Sequence, residues 1–596
     1  MTFIASRTEG SSEDIEAALG PPPWSVLEWS VIAVIAIPFV IGIIALLGGS
    51  DANFRSVGDN ALNELRMRDF GHHTLLLGPY SRDGWSHPGP ALYYLFAIPY
   101  RIFGSRSSAF SACALTLNGA AVVSMIVIAR RTSGRLMMLL VAAAVAIITM
   151  NLGWEVLRNP WNPYVTILPF GLLFLSCWAL ACGHRWHLPL AAAVATFCVQ
   201  THIVYLPVAA ALVTWGGVGA LVTHRRDRRR REGATWGIGA LVATVAILAV
   251  MWAPPIIDQV TGTGNLNAIR IYFQTHSDTR GLGDAFRVVG EEFTLSPDWV
   301  TGSEPPLIIS GEPQSLLRTP IPLLGLVWFA IGAVAWRRQR ADVRQFAIGA
   351  VVLTGAAFAA VARTTGTLYD YRLRMLWIAG AFTAVAAVGL AARRWLFQPG
   401  AQRALTTVLV VTVLFAGTVA TSDATTGRPP DRAYVERVPS FGRHMISKLQ
   451  SGHGVLLLRS ASLAASLYTG AVAIEFEQAG LPIRFDAFKV TELTLGAHRL
   501  YRSGPIRGVI TIAVDASVDS LRTQPHQRLI ASWSQESTRR RMRDLTELRR
   551  ISVKAGARDH STAATLTRVT ELLRRTATVG IFFSRSLPAD SVPPAR

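Results

Sequence analysis

Residues 58–94 read GDNALNELRMRDFGHHTLLLGPYSRDGWSHPGPALYY and lie between two long apolar runs. The stretch holds Asp59, Glu64, Asp69 and Asp83, the bases Arg66, Arg68 and Arg82, and His72, His73 and His87. So many ionisable groups beside a bilayer are costly unless they act on something polar. They predict an active-site loop at the surface of a membrane protein.

The rest of the chain supports the membrane. Of its 596 residues, 51% are hydrophobic and 16% charged, and the mean hydropathy is +0.34. That is more apolar than a soluble fold requires. The formal charge is +20, and nearly all of the base is Arg, because Lys occurs only at Lys448, Lys489 and Lys554. Such an excess also fits nucleic-acid binding, but here the arginines fall in short clusters between apolar runs, which is a topology signal. The lipid bilayer is therefore an expected partner and nucleic acid is not. Cys113, Cys177, Cys182 and Cys198 lie in apolar runs without metal-ligand or disulfide-framework spacing, so they read as packing residues.

The first apolar run, 24–49, is long enough to cross about 30 Å of hydrocarbon. Others follow at 108–129, 136–151, 164–182, 187–203, 204–222, 235–253, 320–336, 346–362, 375–392 and 404–421. The fold class is thus a polytopic α-helical membrane protein of about 11–13 transmembrane helices. Basic clusters at Arg130 and Arg131, His184 and Arg185, 225–231, 337–344 and 393–403 belong in the cytoplasm by the positive-inside rule. The tail 1–23 is then cytoplasmic, and the transmembrane domain covers 24–421 with outer loops at 50–90 and 254–319. Segment 88–104 is short for a span and has to begin and end outside: either it dips into the bilayer and returns, or the Arg130 cluster is an exception to the positive-inside rule. The long polar loop 254–319 reads as a lid or an irregular segment. After 421, strand-like runs at 455–458, 508–514 and 580–583 alternate with helix-like stretches at 463–479 and 537–551. That pattern predicts a small α/β domain over 422–596, extracytoplasmic and carrying a basic run at Arg539, Arg540 and Arg541.

Asp59 follows Gly58 and opens a segment of helical spacing, so its plain reading is a helix N-cap. Glu64 and Arg68, spaced i,i+4, read as a surface pair, which leaves Asp59 as the acid most free to act. His87 precedes Pro88-Gly89-Pro90, a rigid entry to the next apolar segment. An acid opening a helix after the first span, followed by a His-Pro step into a Leu-Tyr-Tyr-Leu helix, resembles the GT-C glycosyltransferases. Protein O-mannosyltransferases and lipid A aminoarabinose transferases are the members nearest in pattern. The residues that carry the resemblance are Asp59 and His87-Pro88-Gly89-Pro90-Ala91-Leu92-Tyr93-Tyr94, with weaker echoes at 154–158 and at Gln200-Thr201-His202. Two features depart from the pattern: Asn60 stands where such enzymes carry a second acid, and Gly89 is inserted in the His-Pro step.

The resemblance implies a sugar transfer from a polyprenyl-phosphate donor to an envelope glycan, glycolipid or protein on the outer face of a bacterial plasma membrane. It makes Asp59 the general base of an inverting displacement. Arg158, Arg372 and Arg374, expected at the outer face, are candidates for the donor phosphate, since guanidinium groups suit phosphate oxygens. Glu64 or Asp69 is the candidate second acid, and Asn159, Asn162, His87 and His202 are candidates for sugar or acceptor contacts, with Trp154 and Trp161 offering flat faces. The adjacent His72 and His73 lack a third ligand at useful spacing, so no metal is expected to be required, with a divalent cation as the alternative. A transporter or flippase for lipid-linked sugars is the rival class. It would place ionisable groups at the midplane and often shows internal repeats, and the apolar runs here are nearly free of charge.

Overall fold

The computed structural model describes residues 23–585 except 50, 51, 53, 230–236, 277, 306–320, 337–338, 396–397, 427–448, 450–453, 487–488, 535–542, 544–545 and 548–577. The expected tail 1–23 and the basic run 539–541 therefore lie almost wholly outside the described residues, as does most of the expected helix 537–551.

The helices in chain order are α1 Val26–Gly48, α2 Gly58–Arg68, α3 Ala91–Ile102, α4 Ser107–Ser133, α5 Arg135–Leu157, α6 Ile167–Ala181 and α7 His187–Thr201. Then come α8 Leu206–Arg229, α9 Ile238–Thr261, α10 Leu323–Ala335, α11 Ala341–Ala362, α12 Leu376–Trp395, α13 Pro399–Thr426 and, in the C-terminal domain, α14 Leu463–Gln478. Among the described residues nine helices are long and apolar enough to cross a membrane, and the shorter apolar α7 and α10 take the two remaining expected positions. The first span is set by a capping box in which Ser25 and Glu28 satisfy each other's backbone N–H groups. Glu28 also meets Arg130 at the end of α4, which ties the two helices together at that boundary.

α3 is 12 residues long, about 18 Å at 1.5 Å per residue, too short to cross. Before it, Gly89 lies against Gln200 and Pro255 at the ends of α7 and within α9. After it, the carbonyl of Ser105 accepts from Gln478 of α14 at 3.4 Å. α3 thus leads from a contact with α7 and α9 to one with α14 of the C-terminal domain. The inserted glycine has a steric reason: a Cβ at Gly89 would stand 2.4 Å from Gln200 Oε1 and 2.6 Å from a Pro255 carbon.

The C-terminal domain is a five-stranded sheet in the order β2-β1-β3-β5-β4. Its strands are β1 Val455–Ser460, β2 Ile483–Phe485, β3 Ile506–Val514, β4 Arg528–Ser534 and β5 Thr578–Ser584. β1 pairs in parallel with β2 and β3, whereas β5 runs antiparallel to β3 and β4. α14 links β1 to β2 and packs on α2, where a Cβ on Gly470 would lie 3.0 Å from that of Ala61. Ala61 and Leu65 accordingly belong to the core of the sheet domain, while Met67 of the same helix belongs to the core of the membrane bundle.

Ions reinforce that joint. Asp69 is buried and meets Arg499 at 2.8 Å, Arg66 at 3.0 Å and His498 at 3.2 Å. Arg499 also holds Glu477 at 2.6 Å and donates to the Leu65 carbonyl at the end of α2. The loop 254–305 is not irregular as its composition suggested. It folds into helices Asn265–Thr275 and Gly281–Glu291 and a turn at Asp298–Thr301. The middle helix buries Ala285, Val288 and Val289 in a cluster with Leu368, Leu373 and Leu376, an apolar face that its flanking polar residues conceal in the sequence.

Arg499→Ala would leave Asp69 buried with less compensation, and breaking a buried pair costs about 3–5 kcal/mol. Hydrogen exchange of the detergent-solubilised protein is expected to show α2 and α14 losing protection by at least about tenfold. Unchanged protection in both helices would contradict this account of the joint.

Candidate active site

The site is built where α2 begins. Gly58 has φ +54° and is itself the first helical residue, so Val57 occupies the N-cap without a side-chain bond. Asp59 is therefore not a cap. Its carboxylate is exposed and accepts a hydrogen bond from the indole N–H of Trp161 at 3.0 Å. Asn60, which replaces the second acid of the resembled pattern, donates to Asn159 Oδ1 at 2.9 Å.

Residues 154–162 reach this position because α5 breaks at Gly153, whose φ of 70° and ψ of 166° leave the helix. Glycine adopts that conformation without the Cβ penalty. The break frees the Trp154 N–H, which donates to Asp423 Oδ2 of α13 at 2.6 Å. Trp154 is buried with its ring over Gly42 of α1, so it serves packing rather than presenting an open face. Asn159 Oδ1 also accepts from the Trp161 N–H at 3.0 Å, which holds the Trp161 turn against α2.

Trp161 continues into an aromatic and basic surface. Its ring centroid lies 4.7 Å from Tyr371 and 5.1 Å from Tyr164, and Tyr371 stacks on Tyr369 at 5.3 Å. The Arg372 guanidinium lies over both tyrosines at 5.5 and 5.8 Å, Arg374 over Tyr164 at 5.5 Å, and Arg82 over Tyr369 at 5.8 Å. Arg374 is buried and reaches Glu304 at 3.5 Å. The structure thus brings Asp59, Asn159 and Arg372 to one surface, with Arg374 buried against Tyr164.

His87 lies behind it. The turn 78–87 is a small hairpin, with Tyr80 bridged to Ser86 and Gly84 in a positive-φ bend. Asn265 clamps it by accepting from the Ser86 N–H at 2.8 Å and donating to the Ser86 carbonyl at 2.7 Å. His87 Nδ1 accepts from the Ile203 N–H at 3.2 Å, and its ring lies 4.6 Å from that of His202. Burial, helped by the positive charge of Arg372, pulls His87 down to about 3, so the ring is neutral at ordinary pH and its Nε2 carries the proton.

The other expected site residues stand elsewhere. Glu64 is fully buried and accepts from Tyr100 at 2.9 Å, while Arg68 bonds Tyr100 and Ser105. The expected surface pair does not form: Glu64 turns inward to Tyr100, and Arg68 reaches Glu477 at 3.8 Å. Burial pushes the Glu64 carboxyl up, against the neighbouring Ser107, Ser56 and Tyr100 hydroxyls and the charge of Arg68. Asp69 is engaged in the interdomain joint. Arg158 is buried, pairs with Glu155 at 2.7 Å and lies over Phe54 at 5.3 Å. Asn162 is buried and donates to the Thr201 carbonyl at 3.4 Å, and His202 Nδ1 accepts from Val204. His73 stacks on His498 at 3.7 Å. Among the described residues no group of three His, Cys, Asp or Glu side chains is placed to hold a metal ion. Sequence reasoning missed Tyr164, Tyr369 and Tyr371 as a surface, although the Tyr-x-Tyr-Arg spacing beside a span end was its available signal.

No protein-family model matches the chain, and no curated protein matches it. Among solved structures, ArnT from Cupriavidus metallidurans bound to undecaprenyl phosphate is similar with a TM-score of 0.51 at 13% identity, covering 85% of this chain and 97% of that one. ArnT from the same organism in the apo state gives 0.49 at 14% identity with the same coverage. The first likeness shows the fold, that of a polytopic helical membrane protein, shared over most of both chains.

The depressed His87 makes a prediction about pH. The unfolded chain takes up a proton near 6.5 that the folded chain refuses until about 3, so this residue costs stability as pH falls through that window. His87→Asn is expected to flatten the acid side of a thermal-unfolding series in detergent by up to about 1.4 kcal/mol per pH unit. An unchanged slope would contradict burial of a neutral ring.

Proposed function

We propose that the chain is a membrane glycosyltransferase that moves a sugar from a polyprenyl-phosphate donor to a hydroxyl of an envelope glycan, glycolipid or protein. The observation that carries this reading is the exposed Asp59 carboxylate, held by the Trp161 indole at the edge of the Tyr371–Arg372 surface. The GT-C-type fold supports it, and so does the undecaprenyl phosphate bound by the similar ArnT structure. In this reading the C-terminal domain and loops 50–90 and 254–319 face outward from a bacterial plasma membrane, and the amino terminus is cytoplasmic.

The chemistry follows from the groups present. Asp59 accepts the proton of the acceptor hydroxyl as that oxygen bonds to the anomeric carbon. The bond from that carbon to the phosphate oxygen breaks, its electron pair stays on the lipid phosphate, and the anomeric centre inverts. Arg372 and Arg374 stabilise the charge that develops on the phosphate, where donors fixed in advance act most strongly. Trp161 and Tyr371 offer flat faces to the sugar ring. Asn159 steadies the Trp161 turn, and the neutral His87 keeps further positive charge away from Arg372. No metal takes part in this scheme.

Membranes containing Asp59→Asn are expected to lose transfer from a labelled polyprenyl-phosphate sugar by at least about a hundredfold while the protein remains inserted. Trp161→Phe, which keeps the ring and removes the N–H, is expected to lose about tenfold. Equal transfer by wild type and Asp59→Asn would overturn the base assignment. If no donor in a panel works with wild type, transport of lipid-linked sugars becomes the better reading.

A further inference from the structure

The ionic joint between α2 and the C-terminal domain does not fill the space around it. A space of about 450 Å³ remains, lined by Asp69, Glu477 and Arg499, by His498, and by Arg101 of α3 and Arg484 of β2. Past Arg68 and Ser105 it adjoins a second hollow of about 540 Å³ where Arg55 and Arg106 stand. One 11-residue helix separates this place from Asp59, about 15 Å away along its axis, so it is distinct from the proposed donor site.

The charges within the cavity are unequal. Both acids are already engaged: Asp69 by Arg66, Arg499 and His498, and Glu477 by Arg499 and, at 3.8 Å, by Arg68. Among the described residues Arg101 donates to backbone, to the carbonyls of Ala97 at 3.0 Å and Phe70, with its guanidinium over the Phe70 ring at 5.4 Å. Arg484 donates to the Ile483 carbonyl at 2.7 Å. Among the described residues neither has a carboxylate partner within ion-pair distance. Two guanidinium groups, one from each domain, thus line the space in excess over its two carboxylates, which are paired elsewhere. Planar forks of this kind suit phosphate oxygens.

The surroundings indicate where such a phosphate comes from. Arg101 sits in the last turn of α3, and the outward side of that helix is an apolar row in which Leu95, Ile98 and Ile102 are 48%, 65% and 74% exposed. In a membrane-spanning chain a row of that kind faces acyl chains, and an arginine at its end is placed at head-group depth.

We propose that this cavity binds the phosphate of an anionic lipid head group between Arg101 and Arg484, seating the C-terminal domain on the leaflet while the acyl chains lie along α3. The lipid adds a bridge between two domains that meet mainly along α2, so its binding steadies the same joint.

Full-length protein in phosphatidylcholine nanodiscs, with and without phosphatidic acid, tests this by native mass spectrometry of the retained lipid. Wild type is expected to retain phosphatidic acid in preference to phosphatidylcholine, and the Arg101→Ala/Arg484→Ala double variant to retain it about tenfold less. Arg101→Lys/Arg484→Lys keeps both charges and is expected to keep most of the binding, which separates lost charge from lost folding. Asp59→Asn is expected to bind as wild type does, so the result stands apart from the transferase reading. Equal retention by wild type and the alanine variant would overturn the site. Inorganic phosphate binding to wild type as tightly as the lipid, and lost in the alanine variant, would overturn the lipid as its source in favour of a soluble phosphate.

Discussion

Helix α2 has to satisfy three surroundings with eleven residues, and the rest of the structure depends on how it does so. Ala61 and Leu65 are buried in the core of the sheet domain, Glu64 and Met67 are buried toward the bundle, and Asp59 is left open at the first turn. The 3.6-residue period of an α-helix makes this division possible, since positions three and four apart share a face. Small residues where α14 crosses, Gly470 against Ala61, let the two backbones approach and fix the rotation of α2. That rotation decides which acid meets solvent.

Fixing the helix alone would leave Asp59 with free rotamers. The indole N–H of Trp161 supplies a directed bond, and Trp161 is itself steadied by Asn159, which is held by Asn60. The chain can deliver Trp161 there because α5 kinks at Gly153 and the residue after the kink is tied to Asp423 of the last span. The candidate base is thereby linked to the first and last parts of the bundle and to the C-terminal domain. Such a network preorganises a site at little cost when the substrate arrives. It also places the aromatic surface of Tyr369 and Tyr371 against Trp161, with Arg372 above it.

The spans were legible because apolar length against bilayer thickness is a one-dimensional signal, and the strands β1, β3 and β5 because short apolar runs between turn residues carry one too. The short α3 was legible for the same reason, since its length forbids a crossing. What local spacing does not encode is which face of a helix turns inward. Glu64 and Arg68 have the spacing of a surface pair, yet Tyr100 draws Glu64 inside. Asp59 has the context of a cap, yet Gly58 takes the positive-φ first position and shifts the helix start by one residue. Partners far along the chain were invisible for the same reason: His73 finds His498, Asp69 finds Arg499, and Trp161 finds Tyr371. The glycine inserted after His87 and Pro88 looked like a departure from a pattern, and close contact with Gln200 and Pro255 explains it.

The central claim is that one surface carries both the base and the phosphate-binding arginines. A cryo-electron-microscopy map of the protein with a polyprenyl phosphate tests it most directly. The account predicts phosphate density within about 3 Å of Arg372 or Arg374, on the side of Trp161 that Asp59 faces. Phosphate density at another face of the bundle, with the Tyr369–Tyr371 surface empty, would contradict it.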